Sequence, residues 1–260
     1  MLQRLKPYTS WIILGVIIVV FAILLIINET KILRNDKTHT FEEALAKQTS
    51  GNITNTIAKE GAFVEASKDE IEAAMTIHRH DEDLKYMDIS EPVPMAVSEV
   101  NSLLKGKGKL SGQGEAFLKA QEKYDVNVLY LISHAMVETG HGDSALSQGM
   151  KYKGKRYYNF FGIGAFDEAA LKNGSSYARQ AEWTTPEKAI NGGAKFVRQT
   201  YFENGQISLY QMRWNPESPG THQYASDIRW ADEIAAQMAK HYKTFGIKQD
   251  DVRRDYYKHK

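Results

Sequence analysis

The chain has 260 residues, of which 42% are hydrophobic and 25% charged, so it can bury a core and build one or two domains. Its 33 basic residues against 32 acidic ones leave a net charge of +1, which points to no partner class by itself, and no nucleic acid is expected. Cysteine is absent, which excludes a disulfide scaffold and a thiol nucleophile.

Residues 11–27, "WIILGVIIVVFAILLII", carry no charge. At ~1.5 Å per helical residue the run reaches about 25 Å, enough to cross a hydrocarbon core. Its exit, "INETKILRND", has no small-residue cleavage signal, so an uncleaved transmembrane anchor is expected rather than a signal peptide. Arg4 and Lys6 precede the run and Lys31, Arg34 and Lys37 follow it, so charge alone barely decides its orientation. The expected organisation is a cytoplasmic start and anchor over residues 1–29, a polar stalk over 30–66, a main domain over 67–247 and a loose charged tail over 248–260.

Within the stalk, "TFEEALAKQ" reads as a helix. Ser67 and Glu70 have capping-box spacing and open a helix over "DEIEAAMTIHRH". Pro92 and Pro94 break structure. "SEVNSLL" is helical and runs into a glycine-rich loop, in which Lys105, Lys107 and Lys109 read as solvated. "GEAFLKAQEKY" and "VNVLYLISHAMVETG" are two further helices, the second strongly apolar. "PEKAINGGAKFVRQTYF" has helical spacing, with Phe196, Val197 and Tyr201 as packing residues. "ADEIAAQMAKHYKTFGI" closes the domain as an amphipathic helix.

Residues 150–230 hold 15 of the 28 Phe, Trp and Tyr residues. Tyr157, Tyr158, Trp183, Trp214 and Tyr224 fall in stretches rich in glycine, proline and asparagine. Aromatic faces beside polar loop groups suit a sugar chain, or equally a peptide groove.

One carboxylate stands out. Glu138 ends the apolar helix just before Gly140 and Gly142, which are expected to leave the cleft side open. Its helical neighbours are His134, Ala135 and Leu131. Apolar surroundings and the negative end of the helix dipole both favour the neutral acid, the form that can protonate a leaving glycosidic oxygen. The residues alone equally allow a glutamate on a solvated face. His134, Glu138 and His141 share a helix face, but no HExxH pattern supports a metal, and no metal or other cofactor is expected. Ser133 and Ser144 lack the G-x-S-x-G setting of a serine hydrolase.

Five stretches, "SEVNSLLKGKGKL", "NVLYLISHAMVETGHGDSALS", "YYNFFGIGAFD", "WTTPEKAINGGAKFV" and "YQMRWNPESPGTHQYASDI", occur in order over about residues 95–245. Together they resemble the glucosaminidase domain of bacterial autolysins, glycoside hydrolase family 73. The whole chain most resembles the membrane-anchored staphylococcal members. The resemblance implies a mainly α, lysozyme-like α+β fold with a small β-containing lobe. It implies endo-hydrolysis of peptidoglycan glycan strands at the β-1,4 bond on the reducing side of N-acetylglucosamine, and hence a domain outside the cell.

In this resemblance the catalytic residues are Glu138, the acid, and Tyr224, the tyrosine of the "YA[ST]D" pattern, with Asp227 after it. Asn159 to Ala165 would line the cleft floor. Tyr158, Asn159, Phe161, Trp183 and Trp214 are expected to touch sugar, with Arg213 and His222 as further candidates. The second glutamate of some members has no clear counterpart in "NGSSYARQAEW". Asp167, Glu168, Glu182 and Asp227 are the candidates for a second acid, and the 2-acetamido group of the substrate is an alternative. Asp143 and Asp227 also read as turn-capping residues. Expected partners are glycan strands, the bilayer through residues 11–27 and a multi-spanning membrane protein. The alternative functions are a muramidase or lytic transglycosylase, and a wall-binding scaffold subunit.

Overall fold

The structure is a computed structural model that describes residues 14–21, 37–164 and 170–259. Among them no helix is long and apolar enough to cross a membrane. Most of the expected anchor lies outside the described residues. The part inside them, residues 14–21, is helical (α1) and exposes Val16, Ile17, Ile18 and Phe21.

The remainder is helix-rich with two small antiparallel hairpins, β1–β2 (Thr56–Lys59, Ala62–Glu65) and β3–β4 (Met150–Tyr152, Lys155–Tyr157). This agrees with the expected α-rich α+β class. At its centre is α6 (Val128–Glu138), whose residues 128–136 are all buried. The Asn127 side chain caps it by accepting from the amides of Leu129 and Tyr130, and donates to the hydroxyl of Tyr242. Helices α5 (Gly114–Tyr124) and α11 (Trp230–Phe245) pack against α6, α4 (Val97–Leu104) and α9 (Pro186–Thr200) pack against α5, and the short α7 (Ala145–Gln148) packs against α8 (Ala170–Gln180). Each presents an apolar stripe, such as Ile234, Ala235 and Met238 on α11.

Inside α9, Gly192 and Gly193 look costly for a helix, at about 1 kcal/mol each relative to alanine. Their places are set by close approach. A Cβ at Gly192 would strike the indole of Trp183, and one at Gly193 would strike the ring of Phe161.

Several expectations need correction. Residues 37–66 are not a stalk. They form α2 (Phe41–Gln48), closed by a Thr40–Glu43 capping box, and the first hairpin. The chain then enters α3 (Lys68–Met75), whose predicted capping box of Ser67 and Glu70 is present. This helix stops at Met75 rather than continuing through "TIHRH", because Thr76 turns extended and the Asp81 carboxylate accepts from the amide of His78. The C-terminal tail is not loose either. Tyr256 is buried, Tyr257 shares a hydrogen bond with the Tyr210 hydroxyl, and Lys258 bridges to Thr40. The α2–α3 segment and the C-terminal tail thus meet in an apolar cluster containing Leu45, Met75, Tyr86, Tyr210, Trp214 and Tyr256.

The α11 helix also carries a pH-sensitive contact. His241 is buried, and Gln237 Nε2 donates to its Nε2 at 3.2 Å. Burial, with Lys240 and Lys107 nearby, pushes its pKa from 6.5 down to about 4. The fold therefore binds fewer protons than the unfolded chain between those values, and this contribution to stability is lost as pH falls from 6.5 towards 4. Melting temperature is expected to drop across that window, and to drop less in His241→Gln; equal slopes for the two proteins would rule out this role for His241.

Candidate active site

Glu138 is the last residue of α6, and beyond it the chain turns sharply. Gly140, His141 and Gly142 all have left-handed backbone angles, with φ of 54°, 63° and 97°, and the His141 amide closes the helix on the carbonyl of Met136. Gly142 does not open a cleft. It is buried, and a Cβ there would strike the carbonyl of Lys107, so this glycine lets the 107–108 loop approach.

The side chain of Glu138 is 23% exposed, and its carboxylate is gripped on one side. Trp230, the first residue of α11, donates its indole Nε1–H to Oε1 at 2.9 Å. Nε2 of His134, one helical turn back, lies 3.5 Å from the same oxygen. On the other side Oε2 faces Gly162, where any Cβ would collide with it. Gly162 belongs to the predicted cleft-floor stretch. Its loop is folded by Asn159, which is buried, donates to the carbonyls of Ile163 and Gly174 and accepts from the amide of Phe161. Phe161 is wholly buried against α9 and holds the loop in place.

Tyr224 is also buried. Its hydroxyl donates to the carbonyl of Phe161 at 2.8 Å, and its ring stacks on Trp230 at 4.9 Å and meets His134 edge-on. Burial holds the phenol well above its ordinary range, and the nearby Tyr130 and Glu138 add to this. The Tyr224 proton therefore stays in the hydrogen bond to Phe161, and Tyr224 fixes the 159–164 loop to the α11 side of the site.

Other predicted residues lie elsewhere. Trp214 is not a loop residue; it ends a short helix, α10 (Leu209–Trp214), and is 1% exposed beneath the guanidinium of Arg213. Trp183 is 5% exposed, packed on Gly192 and Tyr177. Neither offers a free face to a sugar. The "NGSSYARQAEW" region is not a loop but largely helical, within α8 (Ala170–Gln180).

Arg213 is fully buried. It donates to the backbone carbonyls of Ser226 and Asp227 and to the side-chain oxygens of Asn55 and Gln223. It is a structural cation, not a cleft residue. Tyr158 is largely buried, stacked towards Phe160, with its amide bonded to the carbonyl of Trp183. His222 is exposed, stacked on Tyr201 at 4.8 Å and bonded to Gln206.

Among the second-acid candidates, Asp167 and Glu168 lie outside the described residues. Glu182 is exposed on a turn before Trp183. Asp227 accepts from the amide of Arg229 in the turn before α11, and burial raises its pKa. Burial likewise raises that of Glu233, one turn into α11, with the charges of Asp227 and Glu138 among the further causes. His134 and Trp230 are the site residues that sequence reasoning did not select. For His134 the i, i+4 spacing to Glu138 was the available signal; no local pattern pairs Trp230 with Glu138 across 92 residues.

The profile of the glucosaminidase family, described as mannosyl-glycoprotein endo-beta-N-acetylglucosaminidase, matches residues 114–243, the stretch running from α5 to α11 around Glu138. The chain belongs to this family. It is therefore a glycoside hydrolase by descent. The bifunctional autolysin of Staphylococcus epidermidis is 48% identical over 193 residues, 70% of this chain, and the match spans only 14% of that relative's length. Autolysin E of Staphylococcus aureus, solved with the muropeptide NAM-L-Ala-D-iGlu, is 61% identical with a TM-score of 0.81, covering 86% of this chain and 99% of that one. A catalytic mutant of autolysin E has been solved with the disaccharide NAG-NAM. Glucosaminidase B of the same species is 36% identical with a TM-score of 0.63, covering 84% of this chain and 90% of that one. Coverage this wide extends beyond the family profile into the N-terminal elements.

The burial of the two tryptophans gives a direct test. Trp183→Ala and Trp214→Ala are expected to lower the unfolding free energy by about 3–5 kcal/mol each, the usual cost of emptying a buried aromatic site. Denaturant melts measure this. Unchanged stability with weakened glycan binding would return both residues to the cleft.

Proposed function

We propose that the chain is an endo-β-N-acetylglucosaminidase that hydrolyses peptidoglycan glycan strands on the reducing side of N-acetylglucosamine, with Glu138 as the general acid. The observation that carries this reading is the carboxylate of Glu138, partly exposed at the end of a buried helix and held from one side only. A fixed Oε1 leaves Oε2 to deliver a proton to the glycosidic oxygen as the bond to the anomeric carbon breaks. Family membership supports the substrate class, as do the NAG-NAM and muropeptide complexes of autolysin E. In this reading Tyr224 is a positioning residue, and water completes the reaction at the anomeric carbon. A group on the opposite face of the sugar must activate that water or the carbon itself.

Membrane attachment through residues 11–27 is part of the same proposal. It is supported by seventeen consecutive uncharged residues and by the exposed apolar side chains of α1. An anchored domain would work on strands close to the outer leaflet and trim them.

Two measurements test these statements. Glu138→Gln keeps the shape of the side chain and removes the transferable proton, so release of reducing ends from purified peptidoglycan should fall about 10²–10⁴-fold with little change in melting temperature. A folded glutamine variant that keeps more than about a tenth of the wild-type rate would falsify the assignment. New ends on muramic acid instead of glucosamine would identify a muramidase, and binding without cleavage a scaffold. For attachment, protease added to intact, wall-stripped cells is expected to remove residues 37–260; protection until lysis would contradict an outward-facing domain.

A further inference from the structure

His134 is buried and titratable, and general acid catalysis by Glu138 as described so far does not require it. Its ring has no exposed surface and is enclosed by Tyr130, Phe161, Tyr224 and Trp230, with the ring centroids 4.8–5.4 Å away. Nδ1 lies 2.9 Å from the hydroxyl of Tyr130. Nε2 is completely buried with no full hydrogen bond, 3.5 Å from Oε1 of Glu138. A buried ring nitrogen without a partner is costly unless something meets it at another stage.

The geometry points to His134 as a positioning residue for the acid, its proton on Nε2 and aimed at Oε1 of Glu138. This inference rests on the general-acid reading of Glu138. The tautomer follows from the partners on the two nitrogens. The Tyr130 hydroxyl has two acceptors in reach, Nδ1 at 2.9 Å and the thioether sulfur of Met212 at 3.8 Å. A thioether is a weak acceptor, so the hydroxyl proton goes to Nδ1, and the ring proton resides on Nε2.

Oε1 then has two donors converging on it, Trp230 Nε1–H and His134 Nε2–H, and Oε2 is left as the oxygen that carries the acidic proton. In the reaction that proton passes from Oε2 to the glycosidic oxygen while the electron pair of the breaking bond goes to the same oxygen. The negative charge that appears on the carboxylate is met at Oε1, where the His134 contact shortens into a full hydrogen bond. Donors already aimed at developing charge need no reorganisation during the step. The ring itself gains and loses no proton.

The test separates this proton arrangement from simple packing. The side-chain amide of glutamine reaches the position of Nε2, whereas that of asparagine reaches only Nδ1. With peptidoglycan as substrate, His134→Gln should keep kcat within about threefold of wild type. His134→Asn should lose about 10- to 100-fold in kcat at similar KM, the range expected for one hydrogen bond to a charged group. Equal kcat in the two folded variants would overturn the inference. A long-range proton–nitrogen spectrum of the ¹⁵N-labelled wild-type chain checks it without any mutation. A protonated Nε2 with an unprotonated Nδ1 is expected, and a proton on Nδ1 overturns the inference even if a variant fails to fold. A wild-type chain that releases no reducing ends would instead count against the glycosidase reading, leaving the tautomer to decide the hydrogen-bond arrangement.

Discussion

Burying the guanidinium of Arg213 removes a full charge from water, and a cation so placed is tolerated only where oxygen acceptors surround it. Four are supplied. Two are backbone carbonyls of the loop that leads into α11, at Ser226 and Asp227, and two are the side-chain oxygens of Asn55 and Gln223. Burial lowers its pKa to about 9, with the charge of Asp227 acting in the opposite sense, so the group is still a cation at neutral pH. Its planar, fixed fork of donors suits this task better than a lysine would. The loop cannot move away without leaving those donors unpaired.

The consequence is an ordered chain of contacts from the N-terminal elements to the reacting group. Asn55 is itself bound by Gln48 of α2, and Gln48 also reaches Gln223 and the amide of Gly220. The Thr56 backbone pairs with Ser226 and Ile228. The N-terminal elements therefore clamp the far side of the loop whose near side carries Tyr224 and Trp230. Those two rings stack, one bonded to the carbonyl of Phe161 and the other to Glu138. A buried polar network of this kind ranks arrangements of the loop sharply, because each misplaced member strands a donor or acceptor out of water.

Much of the site's helical framework was legible in the sequence. The break after α6, the placing of Glu138 at that break and the Ser67–Glu70 cap all follow from local rules about helix ends, and local rules act through neighbours in sequence. The aromatic residues were read less well. Trp183 and Trp214 sit among glycine, proline and asparagine and so resembled exposed binding residues, yet both are core. The compensating signals were distant: the glycine pair of α9 that makes room for Trp183, and the arginine beside Trp214 whose partners lie in another part of the chain. The polar segment over 37–66 failed for a related reason. Its apolar stripe is short and is completed by tyrosines at the other end of the chain, such as the Phe41–Tyr257 contact.

The sequence alone determined most of the helices, the Ser67–Glu70 cap, the family resemblance and the position of the acid at a helix end. Each of these depends on residues within a few turns of one another, or on an ordered set of motifs. Only the tertiary structure decided which aromatic residues face the site, which polar residues are sealed inside and which oxygen of Glu138 is held. These depend on Trp230, Gly162, Tyr224 and Arg213 meeting groups tens of residues away, through contacts with no period or spacing in the sequence. Helix periodicity identifies the inward face of a helix, but the partner on that face is chosen by packing and hydrogen-bond satisfaction across the whole fold.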